Sequence, residues 1–400
     1  MPRKALIIGC GVAGPATALF LKQAGLSAEV YEARSAEEAG GGFFLYLAPN
    51  GVNVLKTLGI DRHLEPDGFP PTGMTFINAK GKRLGGFDSR FDGERYGARG
   101  LVVKRAELQS VLRSEAERQG ILVCFGKKLR EVEASGGSGV VAHFADGTSA
   151  RGDLLIGCDG LHSRTRQLVL SESPKPTYLG LMDCGGFAHL PELRHLSGPQ
   201  VMTFGRRAFF GYVVRPSGEV YWFSNVPWLK KPDRDELAAF GNDAWKGRLL
   251  ELHADDPPPT LQIIAATPAE GIGRWPTRDL PALPTWHRGP VCVIGDAAHA
   301  SSSAAGQGAS MALEDAAVLG KCLRDVADTE RAFATFERLR RARVEAVAEQ
   351  ARRNGSRKVP HPVLGWVRDL TLPLFLKMAT AKSDGQDVNS YKVEWEEKVA

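Results

Sequence analysis

Val291-Cys292-Val293-Ile294-Gly295-Asp296-Ala297-Ala298-His299, followed by Gly306-Gln307-Gly308-Ala309 and Glu314-Asp315-Ala316, joins an apolar run to an acid and then to a glycine-opened helix. Val291 to Ile294 is short, apolar and mostly β-branched, the pattern of a buried strand. Gly295-Asp296 closes it and leaves a carboxylate where the hydroxyls of a polyol could meet it. Beyond Gly306, the small or apolar residues Ala309, Ala312, Leu313, Ala316, Ala317 and Gly320 recur at helical spacing. The N–H groups of Gly306 to Ala309 therefore form a partly positive helix end, which stabilises negative charge on a ligand.

The chain opens on related grammar. Ala5 to Ile8 reads as a strand, Gly9-x-Gly11-x-x-Gly14 as a turn, Pro15 to Ala24 as a helix stopped by Gly25, and Val30-Tyr31 as a second strand ending at Glu32. Glu32 lies eighteen positions after Gly14, close to the ~20 expected of an acid that takes a ribose hydroxyl pair. Gly9 permits the tight turn, Gly11 lets a pyrophosphate approach the backbone, and Gly14 lets helix and strand pack closely. A third segment, Asp159-Gly160-Leu161-His162-Ser163-Arg164-Thr165-Arg166, follows the apolar strand Leu154-Leu155-Ile156. Read alone, Asp-Gly there is a turn; at a strand-to-helix junction the Asp and Ser can also cap a helix, with Arg166 as counter-charge beside a pyrophosphate.

Between these segments, Pro49-Asn50 precedes a short helix to Gly59, Met74 to Leu84 alternates like a hairpin, and a helix runs from near Arg105 to Gly120. From about Pro174 to Ala266 the period changes to two, with aromatic-rich runs Phe204 to Val214 and Glu219 to Asn225 joined at Pro216-Ser217-Gly218. An antiparallel sheet is expected throughout that stretch. A long helix follows from about Glu330 to Asn354, then one or two amphipathic helices within Val363 to Met378. The fold class is α/β: a Rossmann-like βαβ domain interleaved with a mainly antiparallel sheet, plus C-terminal helices. The nucleotide-binding part is expected over 1–70, 100–173 and 285–328, the substrate-binding sheet over 71–99 and 174–284, and a helical cap over 329–400.

Composition narrows the partners. The net charge of +5 on 400 residues is small and dispersed, which gives no case for nucleic acid. Arg338, Arg340, Arg341, Arg343, Arg352 and Arg353 form the one basic cluster and read as a solvated helix face, with steering of an anionic nucleotide as the other reading. The six cysteines show no CxxC spacing, so no metal site is expected and a reducing, cytoplasmic setting fits. Val363 to Met378 carries Arg368, Asp369, Pro373 and Lys377, too polar to span a membrane. A monomer or homodimer is expected.

In order and spacing, the three segments together resemble the FAD-dependent aromatic hydroxylases of the p-hydroxybenzoate hydroxylase type, from the N-terminus to about Gly320. The resemblance implies that FAD lies along Gly9, Gly11, Val12, Ala13 and Gly14, with Glu32, Ala33 and Arg34 at its adenosine ribose. It further implies contact from Arg105, support from Asp159, the ribityl chain on Asp296, and Gly306, Gln307, Gly308 and Ala309 at the flavin edge. NADPH or NADH would reduce the flavin, and O2 would yield a C4a-hydroperoxide that hydroxylates an aromatic or polyketide-like substrate. The chain departs from the family pattern at Ser303, where proline is usual, and at Ser310, where asparagine is common. Ser303 is either a hydrogen-bond donor near the reacting oxygen or a turn residue.

A phenolic substrate reacts better when deprotonated, which makes Tyr46, Tyr212 and His299 candidate proton acceptors, each with a purely structural alternative. Phe44, Phe210, Tyr212, Phe223 and Asn225 are expected to line the pocket as an aromatic wall with few polar groups. The competing functional readings are a flavin-dependent halogenase, whose W-x-W-x-I-P segment is absent here, and a flavin protein that binds or inactivates a planar drug-like compound.

Overall fold

The computed structural model describes residues 2–38, 42–64, 68–135, 139–356, 358, 365, 367–373 and 387–399. Lys4–Ile8, Ala13–Gln23 and Ser27–Tyr31 form the expected βαβ unit, with Ala5 to Ile8 buried. They build a sheet in the order His287–Arg288, Val291–Val293, Leu154–Gly157, Lys4–Ile8, Ser27–Tyr31 and Leu122–Cys124, parallel except at the first pair. Chain order reverses between Lys4–Ile8 and Leu154–Gly157, and such a switch point opens a crevice at the carboxyl ends of the strands. All three sequence segments, and Glu32, lie at those ends.

Helices Gly308–Asp325 and Thr329–Ser356 complete this half. The small residues read from the sequence have a packing reason. Ala312, Ala316 and Ala317 are buried with Ala16 and Phe20 of the first helix in one apolar core, and a side chain at Gly320 would strike Phe20 Cβ at 2.9 Å.

The second sheet runs in the order Gly273–Asp279, Thr177–His189, Glu219–Pro227, Phe209–Val214, Gln200–Phe204, Gly73–Asn78 and Arg83–Asp88. Its pairings are antiparallel except that Gln200–Phe204 runs parallel to Gly73–Asn78. The single run expected from Phe204 to Val214 is two strands, because the chain reverses between Phe204 and Phe209.

The period-two expectation also stops short of Ala266. Residues Arg234–Ala239, Asn242–Leu252 and Thr260–Ala266 are helical. Asp233 and Glu236 make a reciprocal capping box at the first of these. Trp245, Leu249 and Leu252 then recur at helical spacing and bury against the sheet with Ile263 and Ile264. Of the expected C-terminal helices, residues 365 and 367–373 are helical; the rest of Val363 to Met378 lies outside the described residues. Among the described residues no helix is long and apolar enough to cross a membrane.

Candidate functional site

At the first strand end the backbone is packed too tightly for side chains. A Cβ on Gly14 would sit 1.9 Å from the Gly9 carbonyl oxygen, and one on Gly9 would sit 2.5 Å from the Cys158 oxygen. Above Gly11 nothing lies within 4 Å. The helix that follows has no side-chain cap, and Val12, Ala13 and Gly14 at its start are buried. Its first N–H groups are therefore left to whatever fills that space. Glu32 closes the next strand: its carboxylate accepts from Cys10 N at 2.8 Å, Arg34 N at 3.1 Å and Arg34 Nε at 3.0 Å. Burial pushes this carboxyl up, but those donors outweigh it and hold the pKa below the ordinary value. Ala33 and Arg34 are exposed beside it.

Asp159, at the neighbouring strand end, accepts from Ser163 Oγ at 2.5 Å and from Thr165 N at 2.9 Å, while Ser163 Oγ caps the next helix by accepting from Arg166 N at 2.9 Å. Burial raises the Asp159 pKa. Arg166, buried, donates to the carbonyls of Ala297 and Leu161, each at 2.7 Å. It thus ties the second segment to the third.

In the third segment Gly295 has φ +58°, and a Cβ there would approach Ala312 Cβ at 3.3 Å and Ala13 Cβ at 3.5 Å, so two helices converge on it. Asp296 is exposed, its carboxylate turned out of the core. His299 Nε2 lies 2.5 Å from Asp315, which also accepts from Gly295 N at 2.9 Å and from Arg340 Nε at 2.8 Å. Burial pushes the Asp315 pKa up, yet His299 and Arg340 bring it down to about 2. Arg340, fully buried, also pairs with Glu314 at 2.7 Å, and Arg343 reaches Glu314 at 2.7 Å. The solvated-face reading of the basic cluster therefore fails at Arg340: the acids of Glu314-Asp315 need a buried counter-charge, and this arginine supplies it.

The glycine loop is held from both sides. Asn50 donates to Gln307 Oε1 at 3.0 Å and to Glu314 Oε1 at 2.6 Å, and Gln307 Nε2 donates to Asn389 at 3.1 Å. Ser310 accepts from Ala48 N at 3.1 Å, so the serine fastens this helix to the one that starts at Pro49. Gly308 is exposed, nothing lies within 4 Å of a Cβ built on it, and the helix it opens has no side-chain cap. Ala309 follows, half-buried. Tyr46 Cδ1 is 3.9 Å from a Cβ built on Gly306, and Arg105 Cδ lies 3.0 Å from one on Gly42.

Opposite stands the second sheet, and its register divides the expected pocket wall. Asp183, Gly185 and Phe187 pair with Asn225, Phe223 and Tyr221, and Phe209, Gly211 and Val213 continue the same face. Phe44 contacts both Tyr221 and Phe223 by ring, at 5.4 and 6.3 Å, which joins this face to the first half. Phe210 and Tyr212 point the other way, into the core beneath the helices with Trp222, Trp245 and Ile264. Adjacent strand residues face opposite sides, so Phe210 and Tyr212 do not meet Phe44, Phe223 and Asn225. Ser303 is exposed on the loop before Gly306 and stands close enough to Asp183 to favour its charged form.

A family model described as FAD binding domain matches residues 3–351. The chain is 33% identical over 355 residues to the FAD-dependent urate hydroxylase of Klebsiella pneumoniae, covering 88% of this chain and 89% of that protein. It belongs to the FAD-dependent aromatic hydroxylase family. The family includes a 6-hydroxynicotinate 3-monooxygenase from Pseudomonas fluorescens, 30% identical over 358 residues, 85% of this chain and 88% of that one. The hydroxylase fold is also seen in HpxO of Klebsiella pneumoniae, solved with FAD and uric acid. That structure is 29% identical with a TM-score of 0.84 and covers 93% of each chain.

FAD fits the residues gathered at these strand ends. Nothing lies within 4 Å of a Cβ built on Gly11, Gly160 or Gly308, the helices Ala13–Gln23 and Gly308–Asp325 start without side-chain caps, and the carboxylates of Glu32 and Asp296 stand at separate strand ends. Ser310, Asn50 and the Glu314–Arg340 pair were missed as a supporting set. The sequence signal was present, since acids at adjacent helical positions and a basic run one helix later are complementary in charge.

Proposed function

We propose that this chain is a single-component monooxygenase that uses FAD, NAD(P)H and dioxygen to hydroxylate a small, planar heteroaromatic compound. The observation that carries this reading is the exposed, uncapped N-terminus at Gly308 together with the aromatic face of Phe44, Tyr221 and Phe223 on the adjoining sheet. The names of the urate and 6-hydroxynicotinate enzymes support a heteroaromatic substrate.

Bound FAD supplies the electron transfer and the activation of dioxygen. Glu32, with Ala33 and Arg34 beside it, would hold the adenosine ribose; Gly9, Gly11, Val12, Ala13 and Gly14 the pyrophosphate; Asp296 the ribityl hydroxyls; and Arg105 an outer edge. Gly306, Gln307, Gly308 and Ala309 would stabilise negative charge at the pyrimidine edge through the helix end. Asp159 and Arg166 keep the loops in register. The sheet face orients the substrate and excludes water.

The candidate side-chain bases fall into different roles. His299 anchors its loop through Asp315. Burial pushes the Tyr46 phenol far up and Tyr212 up to about 12, so neither accepts a proton near neutral pH. Tyr46 serves as a wall beside Gly306, and Ser303 presents its hydroxyl toward Asp183. The test is purification with FAD followed by a heteroaromatic screen for stimulated NAD(P)H oxidation, with mass spectrometry of products. The expected product is one oxygen heavier than its substrate. A colourless protein that cannot be reconstituted, or a chloride-dependent product, overturns the reading.

A further inference from the structure

On the face of the second sheet that carries Phe209, Phe223 and Tyr221, among aromatic rings, stands a polar group that the FAD motifs do not account for. Asp183 and Asn225 are cross-strand partners, 7% and 3% exposed, with the Asn225 amide donating to Asp183 Oδ1. The Asn225 carbonyl oxygen in turn accepts from Lys358 Nζ at 3.0 Å. That ammonium arrives from beyond the long helix and lies over the rings of Phe209 and Phe223, at 4.6 and 5.3 Å. The buried Thr277 hydroxyl lies near Asp183 but makes no well-formed hydrogen bond among the described residues. Ser303, exposed on the loop before Gly306, closes the group on the side of that loop.

Chemistry narrows what such a group is for. A buried carboxylate and ammonium bridged by one amide stabilise a fold poorly, because desolvation consumes most of the attraction. Burial lowers the Lys358 pKa to about 8, with Asp183 opposing the fall, and burial also raises the Asp183 pKa. Asn225 is already committed to both neighbours. A lysine has three donors and a carboxylate about four lone-pair sites, so, among the described residues, Lys358 and Asp183 both keep capacity for a ligand. Together they offer one acceptor and one charged donor, linked through the Asn225 amide and set beside the rings of Phe209 and Phe223.

We propose that Asp183 and Lys358 recognise the substrate edge, selecting planar heteroaromatics in which a ring N–H adjoins a carbonyl or oxyanion, as in a lactam or its conjugate base. Asp183 accepts from the N–H and Lys358 donates to the oxygen. Asn225 holds both in place, and Phe209 and Phe223 support the ring. The inference rests on the hydroxylase reading for the location of the substrate, but concerns binding and not turnover.

The experiment is isothermal titration calorimetry on the FAD-loaded protein with matched probes. These are 6-hydroxynicotinate against 6-methoxynicotinate, 2-quinolone against 2-methoxyquinoline, and urate against 1,3,7,9-tetramethylurate. The wild type is expected to bind at least one lactam form ~10-fold or more tighter than its capped partner, the loss expected when a charge-assisted hydrogen bond is removed. Lys358→Met and Asp183→Asn are expected to remove that preference, and Lys358→Arg to restore part of it, with FAD content and melting temperature recorded for each. Lys358→Met retains the aliphatic stem over the rings and so separates recognition from folding. Equal binding of lactam and capped forms, binding of no lactam probe, or a preference that survives in a folded Lys358→Met variant overturns the proposal. A protein that passes this test yet forms no oxygenated product would refute the hydroxylase reading alone.

Discussion

Two glycines a short distance apart separate folding from ligand binding. Gly14 has no room, since a Cβ would meet the Gly9 carbonyl at 1.9 Å, and neither backbone can yield cheaply. Gly14→Ala is therefore expected to destabilise the protein by more than about 2 kcal/mol, the scale of an overpacked core. Gly11 faces open space. Gly11→Ala is expected to leave the melting temperature of the FAD-free protein unchanged while weakening FAD binding at least ~10-fold, because the methyl group occupies the approach to the backbone. Thermal melts and a flavin fluorescence titration check both. A Gly11→Ala variant that retains full FAD affinity would show that the pyrophosphate lies elsewhere. Asp296→Ala should act like Gly11→Ala: the carboxylate is exposed, so its removal costs the fold little and the cofactor about 1.5–3 kcal/mol of charge-assisted hydrogen bonding.

At the level of the helix, Gly308–Asp325 is held by charges inside the protein. Asp315 receives His299, Gly295 N and Arg340, and Glu314 receives Asn50, Arg340 and Arg343. Removing Arg340 leaves two buried carboxylates without their shared cation, so Arg340→Met is expected to cost about 3–5 kcal/mol. Arg338→Ala, exposed on the same helix, is expected to stay within about 0.5 kcal/mol. Urea denaturation distinguishes the two. The network also fixes a pH response. The folded pKa of Asp315, about 2, lies below its unfolded value, so its contribution is complete above the unfolded pKa and disappears as pH falls from about 4 toward 2. Stability measured across that window is expected to fall more steeply in the wild type than in Asp315→Asn. The helix itself was legible in the sequence from its small-residue spacing. The complementary charges of Glu314-Asp315 and the later basic run were legible too, but not which arginine is buried, because that depends on how the two helices pack.

Across the whole molecule, legibility follows how local each determinant is. The strand ends carrying Gly9, Glu32, Asp159 and Asp296 were readable because each needs only an apolar run and its next few residues. The pocket wall was readable in composition but not in orientation: Phe210 and Phe223 lie in adjacent strands on opposite faces, and only the cross-strand register decides that. The helices after Asp233 were legible in the spacing of Trp245, Leu249 and Leu252, yet aromatic strands on either side masked the change of period. The C-terminal tail is the least local of all. Trp395 covers Gly320 and packs on Phe20 at 5.1 Å, Tyr391 lies 4.2 Å below the Arg343 guanidinium, and Asn389 holds Gln307. The last residues thus brace the glycine loop from beneath, and stability and cofactor grip should separate within this tail. Trp395→Ala is expected to cost about 2–3 kcal/mol, less than a fully buried tryptophan because it is half-exposed, with FAD affinity changed little. Asn389→Ala frees the Gln307 amide and is expected to leave stability within about 1 kcal/mol while weakening FAD binding several-fold. Urea melts and FAD titrations of the two variants give four values. If both variants lose stability and affinity in proportion, the tail acts only as a general clamp, and the specific link from Asn389 through Gln307 to the glycine loop is refuted.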